Sequence, residues 1–219
     1  MTTFPNSPRL VKGGIVLIKP GSGQVLRVIA LQYNPDTLTR TLQPQGISGE
    51  SNNRAEATRL KGPPIETIKL DAEIDATDQL EFPERNPNAV KVGVADQLAA
   101  LETMIYPASA DLVANNSLQA SGTLEIAPME APLPLFVWSK NRVVPVRITD
   151  LSVTEEAFDP ALNPIRAKVS LGLRVLSVDD LGFDHRGGNI FLVYQRNKEK
   201  LAAMAPNNPL SVLGLGGIP

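Results

Sequence analysis

The chain has 219 residues, 42% of them hydrophobic, enough to bury a substantial core in one large domain or one domain with appendages. Its net charge of −2 argues against nucleic acid as the main partner, because such binders gather a basic excess into patches. Cysteine is absent, which excludes disulfides, thiolate nucleophiles and cysteine-ligated metals and fits a reducing compartment.

The first elements read as a hairpin. Residues 10–20 end in an apolar run, the turn material PGSGQ follows, and residues 25–33 resume as β-rich sequence. Asn34, Pro35 and Asp36 stop that strand, since proline cannot donate to a ladder and Asn and Asp favour turns. Residues 37–42 suit a short return strand. Residues 43–64 are polar and rich in Gly, Ser and Asn, and they contain Arg54 and Arg59. A segment of that length without a core pattern is unusual inside a compact domain. It reads as a loop, or as an arm that orders against a neighbouring subunit.

Alternation returns at residues 65–75, with Ile68, Leu70, Ala72 and Ile74 on one face and Asp71, Glu73 and Asp75 on the other. Val94, Leu98, Leu101 and Ile105 recur at helical spacing and predict the main helix, with Pro107 beyond its end. Residues 118–126, 134–138 and 141–153 predict further strands. Lys140 and Asn141 supply a tight turn, and a change of parity around Asp150 marks a bulge. Residues 155–163 connect into residues 164–177, the cleanest alternation in the chain. There Ile165, Ala167, Val169, Leu171, Leu173 and Val175 oppose a face carrying Arg166, Lys168 and Arg174. Residues 190–204 suit a second helix, and a Pro- and Gly-containing tail follows. With 19 prolines and 16 glycines spread through the chain, the class is mainly β with α.

Candidate chemistry is sparse. His185, the single histidine, lies in a polar turn without a recognisable catalytic partner and without a GxSxG elbow. The stripe of Asp71, Glu73 and Asp75 admits a carboxylate-dependent hydrolase, expected as a monomer with a concave pocket around those side chains. The ordinary reading is the wet face of a strand, paired across to Arg166, Lys168 or Arg174. No P-loop, dinucleotide fingerprint or EF-hand loop is present, so no cofactor and no metal is expected. Trp138 and Tyr33 sit in apolar runs that suit core packing, and 5% aromatic residues make a lectin a poor fit. The N-terminus lacks the apolar run of a secretory signal, and no stretch approaches the roughly 20 apolar residues of a spanning helix. Cytoplasmic synthesis and assembly without direct membrane insertion are therefore expected.

Two motifs together carry a resemblance. Leu31-Gln32-Tyr33-Asn34-Pro35-Asp36-Thr37-Leu38 is similar to the hydrophobic-x-aromatic-Asn-Pro-x-x-Leu signature near the start of contractile injection system tube and baseplate-hub proteins. Pro164-Ile165-Arg166-Ala167-Lys168-Val169-Ser170-Leu171 resembles the late strand of the same family. The likeness covers residues 10–180. It implies a phage tail-tube-like β-sandwich or barrel with one flanking helix, forming a six-fold homo-oligomeric ring between the spike protein and the inner tube proteins of the particle. Many larger members carry a peptidoglycan-binding LysM domain next. The roughly forty residues after Asp180 are too few for one, so a shortened adaptor is expected, with glycan binding as the alternative. On this reading residues 1–180 form the tail-tube-like domain with the arm 43–64, and residues 181–219 a C-terminal helix and tail. Tyr33, Asn34, Pro35, Leu38, Arg54, Arg59, Arg166, Lys168 and Arg174 are the expected interface or scaffold positions.

Overall fold

A computed structural model describes residues 11–46, 59–120 and 131–218. Seven strands, β1 (Gly14–Ile18), β2 (Val25–Ala30), β3 (Leu38–Gln43), β4 (Ile65–Asp75), β5 (Leu133–Ser139), β6 (Arg142–Phe158) and β7 (Pro164–Val175), form one sheet in the order β2-β1-β5-β6-β7-β4-β3. Every neighbouring pair is antiparallel. Six helices lie among the described residues: α1 (Thr77–Leu80), α2 (Pro87–Val92), α3 (Ala95–Glu102), α4 (Ser109–Ala120), α5 (Val178–Leu181) and α6 (Arg186–Ala203). The expected class, mainly β with α, holds.

Strand β6 joins the two halves of the sheet. Its first residues pair with β5, and from Val146 to Phe158 it pairs with β7. The register shifts between Ile148 and Asp150, where the parity change in the sequence placed a bulge. The turn at Lys140 and Asn141 and the hairpin of β1 with β2 also form as read. β6 runs further than expected, to Phe158, because the acidic 155–156 pair faces β7 rather than leaving the ladder. Glu156 lies opposite Arg166 in that ladder and accepts from the Lys168 ammonium at 3.0 Å.

The alternating faces build the core. Ile68, Leu70, Ala72 and Ile74 of β4 meet Ala167, Val169, Leu171, Leu173 and Val175 of β7, together with Phe136, Val144 and Val146. Leu98 and Leu101 of α3 and Phe191 and Tyr194 of α6 join the same cluster. Strands β1 and β5 are covered on both faces. Ile15 and Phe136 point into the main core, whereas Ile18, Leu133 and Leu135 form a second cluster against Leu181 and Ile190.

Three helical expectations need correction. The 94–105 pattern gives only the eight-residue α3, with Val94, Leu98 and Leu101 buried and Ile105 about half exposed. Among the described residues the longest helix is α6, at 18 residues, so the 190–204 pattern marks the principal helix there. Residues up to 120 of the expected 118–126 strand lie in α4, and residues 121–126 fall outside the described part. The Ala- and Leu-containing run SADLVANNSLQA favours that helix.

Gly93 fixes how the helical segment meets the sheet. It ends α2 at φ 61°, and the next residue, Val94, donates to the Pro164 carbonyl at 2.8 Å. A Cβ at Gly93 would run into that same carbonyl oxygen. Gly93→Ala should therefore lose about 2 kcal/mol or more through steric clash and a backbone that L-residues rarely adopt. A urea midpoint within error of wild type would contradict this.

Candidate functional site

Among the described residues the sheet ends in two free edges, β2 and β3. β2 carries exposed apolar side chains: Val25 is 55% accessible, Leu26 50% and Val28 64%. Side chains of an edge strand are usually charged or short, because an open apolar edge is a template for another chain. On β3, Thr39, Thr41, Leu42 and Gln43 are exposed, while Leu38 packs against the core.

Near the far end of β2 the sheet curls back on itself. The Gln32 amide substitutes for a peptide group: its Oε1 accepts from the Asp75 N–H at 2.9 Å, and its Nε2 donates to the Asp75 carbonyl at 2.7 Å. β3 covers β4 only as far as Leu70, so a slot of about 260 Å³ remains between residues 27–32 and residues 72–74, floored by α3.

The Asn-Pro motif beside it is a stitch. Asn34 Oδ1 accepts from the Gly13 N–H at 2.9 Å, and Asn34 Nδ2 donates to the Val11 carbonyl at 2.9 Å, holding the approach to β1. Tyr33 is 46% exposed, with its hydroxyl accepting from Gln32 at 3.3 Å, and Pro35 is half-buried. At the base of the 43–64 segment Gly46 bridges Leu60, and the Lys61 N–H donates to the Gln45 carbonyl at 2.9 Å. Arg59 is exposed there, and Arg54 lies outside the described residues.

The three cations of β7 all have partners. Arg166 Nε donates to Asp75 at 2.8 Å and lies 3.8 Å from Glu73, Lys168 pairs with Glu156, and Arg174 pairs with Asp180 at 2.7 Å. Cross-strand pairing to the carboxylate stripe therefore forms at Arg166, whereas Lys168 and Arg174 turn to other elements. Burial pushes the Asp75 carboxyl up, but hydrogen bonds from the Thr77 hydroxyl and N–H and from Arg166 outweigh it and hold the group below its ordinary value. An acid held ionised in this way is a poor proton donor. Of Asp71, Glu73 and Asp75, only Glu73 lines the slot.

His185 serves the start of α6, where its Nδ1 accepts from the Gly187 N–H at 3.1 Å. Among the described residues no group of three His, Asp or Glu side chains could hold a metal ion. No described helix is long and apolar enough to cross a membrane.

A polar cluster that the sequence reading missed lies behind β3. Glu66, 2% accessible, shares the inward parity of Ile68 and Leu70. It accepts from Arg40 Nε of β3 at 2.8 Å, from Lys198 Nζ of α6 at 2.9 Å and from the Tyr194 hydroxyl at 2.9 Å. The Tyr194 hydroxyl accepts from Arg40 at 3.1 Å, and the Lys198 ammonium sits 4.1 Å from the Tyr194 ring centre. Burial raises the Glu66 carboxyl, yet the bonds from Lys198 and Arg40 prevail and keep it below 4.5. Burial and the Glu66 charge push the Tyr194 hydroxyl well above its usual range, so it stays neutral. The cluster pins α6 to the free edge of the sheet. An acidic residue in step with an apolar alternation was the available signal.

No family model and no curated protein matches the chain. Among solved structures, a similar chain belongs to the tail of an empty GTA particle with C6 symmetry, at 13% identity and a TM-score of 0.29. The match covers 75% of this chain and 90% of that one. At that TM-score the likeness carries no argument, and the functional reading rests on geometry and motifs.

Proposed function

We propose that this chain is a structural subunit of a phage tail-like particle, a baseplate-hub or tube-initiating ring in which β2 of each copy meets β3 of the next. The observation that carries the reading is the pair of strands that end the sheet among the described residues, one of them lined with exposed apolar side chains. Two different edges on one molecule make a head-to-tail contact, and such contacts close into rings when the rotation allows. The Asn34-Pro35 and Pro164–Leu171 motifs supply the family resemblance, and with it a six-fold ring and neighbours of spike and inner-tube type. No reaction is assigned. The subunit's work is mechanical: it matches spike to tube and passes thrust through continuous β-sheet.

Light scattering and negative-stain imaging of the purified chain test this. Annular particles with a mass several times that of one chain are expected. A monomer at every concentration, with a turnover that Glu73→Gln abolishes, would replace this reading with the hydrolase.

A further inference from the structure

The β6–β7 connection is a preformed finger. Ala157 (φ 54°) and Leu162 (φ 65°) both adopt the left-handed backbone that non-glycine residues avoid. The surroundings enforce it. Asp159 Oδ1 accepts from the N–H groups of Ala161 and Asn163, each at 2.8 Å, and Asp159 Oδ2 accepts from Asn163 Nδ2 at 2.8 Å. Asn163 Nδ2 also donates to the Lys91 carbonyl at 3.2 Å, tying the tip to α2. The result presents two bulky apolar side chains to water, Phe158 at 50% and Leu162 at 78% exposure. Strain held in place by such a cage is characteristic of recognition surfaces.

At the opposite end of β6 an open groove of about 670 Å³ runs between the β1–β2 turn, the β5–β6 turn and the start of α6. Its walls include Val143, Ile190 and Val193, and its polar rim carries Lys140 and Arg186 against the single carboxylate of Asp184. That volume lies in the range of pockets that accept a specific apolar anchor. The finger, residues 155–163, carries Glu155, Glu156 and Asp159 and no Lys or Arg. Glu156 pairs with Lys168 and Asp159 is taken up within the finger, so the charge that complements the Lys140 and Arg186 rim is that of Glu155. Within one copy finger and groove stand at opposite ends of the same strand, separated by roughly 50 Å of strand path.

We propose that the β6–β7 finger of one copy seats Phe158 and Leu162 in the α6 groove of a second copy, stacking copies end to end. This contact runs in a different direction from edge pairing between β2 and β3 and does not depend on it. It is heterologous and leaves a free finger and a free groove at the two ends of any stack.

The absence of cysteine makes the test clean. Leu162→Cys and Val193→Cys are prepared as separate proteins, mixed in equal amounts and mildly oxidised. Mixed disulfide dimers are expected about tenfold or more above a mixture of Leu162→Cys with Leu112→Cys on α4, because docking concentrates only the first pair of thiols. Lys140→Glu in the groove copy should cut the mixed dimer, and Glu155→Lys in the finger copy should restore it. Yields no higher than the α4 control, dominant Leu162→Cys self-dimers, or indifference to Lys140→Glu would each overturn the proposal. Running the same mixture in a Val28→Lys background separates the two contacts: the cross-link is expected to persist when edge pairing is lost.

Discussion

Replacing Glu66 with glutamine should destabilise the protein by about 2–3 kcal/mol, lowering its melting temperature by roughly 5–10 °C. The carboxylate is the acceptor shared by Arg40, Lys198 and Tyr194. Removing its charge leaves two cations facing a neutral amide in a buried site. The loss falls short of that for a wholly buried pair, because the Arg40 and Lys198 side chains keep 26% and 38% of their surface in water. The effect should carry a pH signature. The folded Glu66 value lies below 4.5, so its contribution is complete above the ordinary glutamate value and is lost as pH falls through the folded one. The gap between wild type and Glu66→Gln should therefore be full at neutral pH and close in acid below about 4.5. A gap that stays constant from pH 7 into acid would show that shape, not charge, holds the cluster together.

The second large effect is on assembly. Val28→Lys places an ammonium on the outer strand at a position with 64% exposure, where the folded monomer has little to lose. Stability should stay within about 0.5 kcal/mol of wild type. Against a neighbouring strand the same charge must be desolvated, and lysine on an edge is a common device for preventing such pairing. The annular species should vanish in light scattering and negative stain, leaving a monomer that melts normally. A variant that still forms rings would move the contact away from β2.

The strands were legible where side chains obey a period of two. β4 was read to its bounds, Ile65–Asp75, because one of its faces is apolar and the other acidic. The β6 bulge was legible for the same reason: an extra residue leaves a visible slip in parity. α4 was not, since Leu112 and Val113 stay exposed and its sequence shows no buried stripe. The Glu66 cluster needed long-range knowledge. Its inward parity could be counted from Ile68, but its partners lie on β3 and on a helix 128 and 132 residues onward. The cations of β7 were placed correctly on the outer face. Their partners could not be fully read, because Glu156 lay in what looked like a connection and Asp180 beyond the strand's end.

The long β6 strand belongs to two ladders in succession, first with β5 and then with β7. Antiparallel hydrogen bonds lie across the strand direction, so a pull along β6 strains many of them together instead of peeling them singly. Tension entering near Arg142 and leaving at Phe158 thus follows one uninterrupted covalent cable, braced by β5 over its first residues and by β7 over the rest.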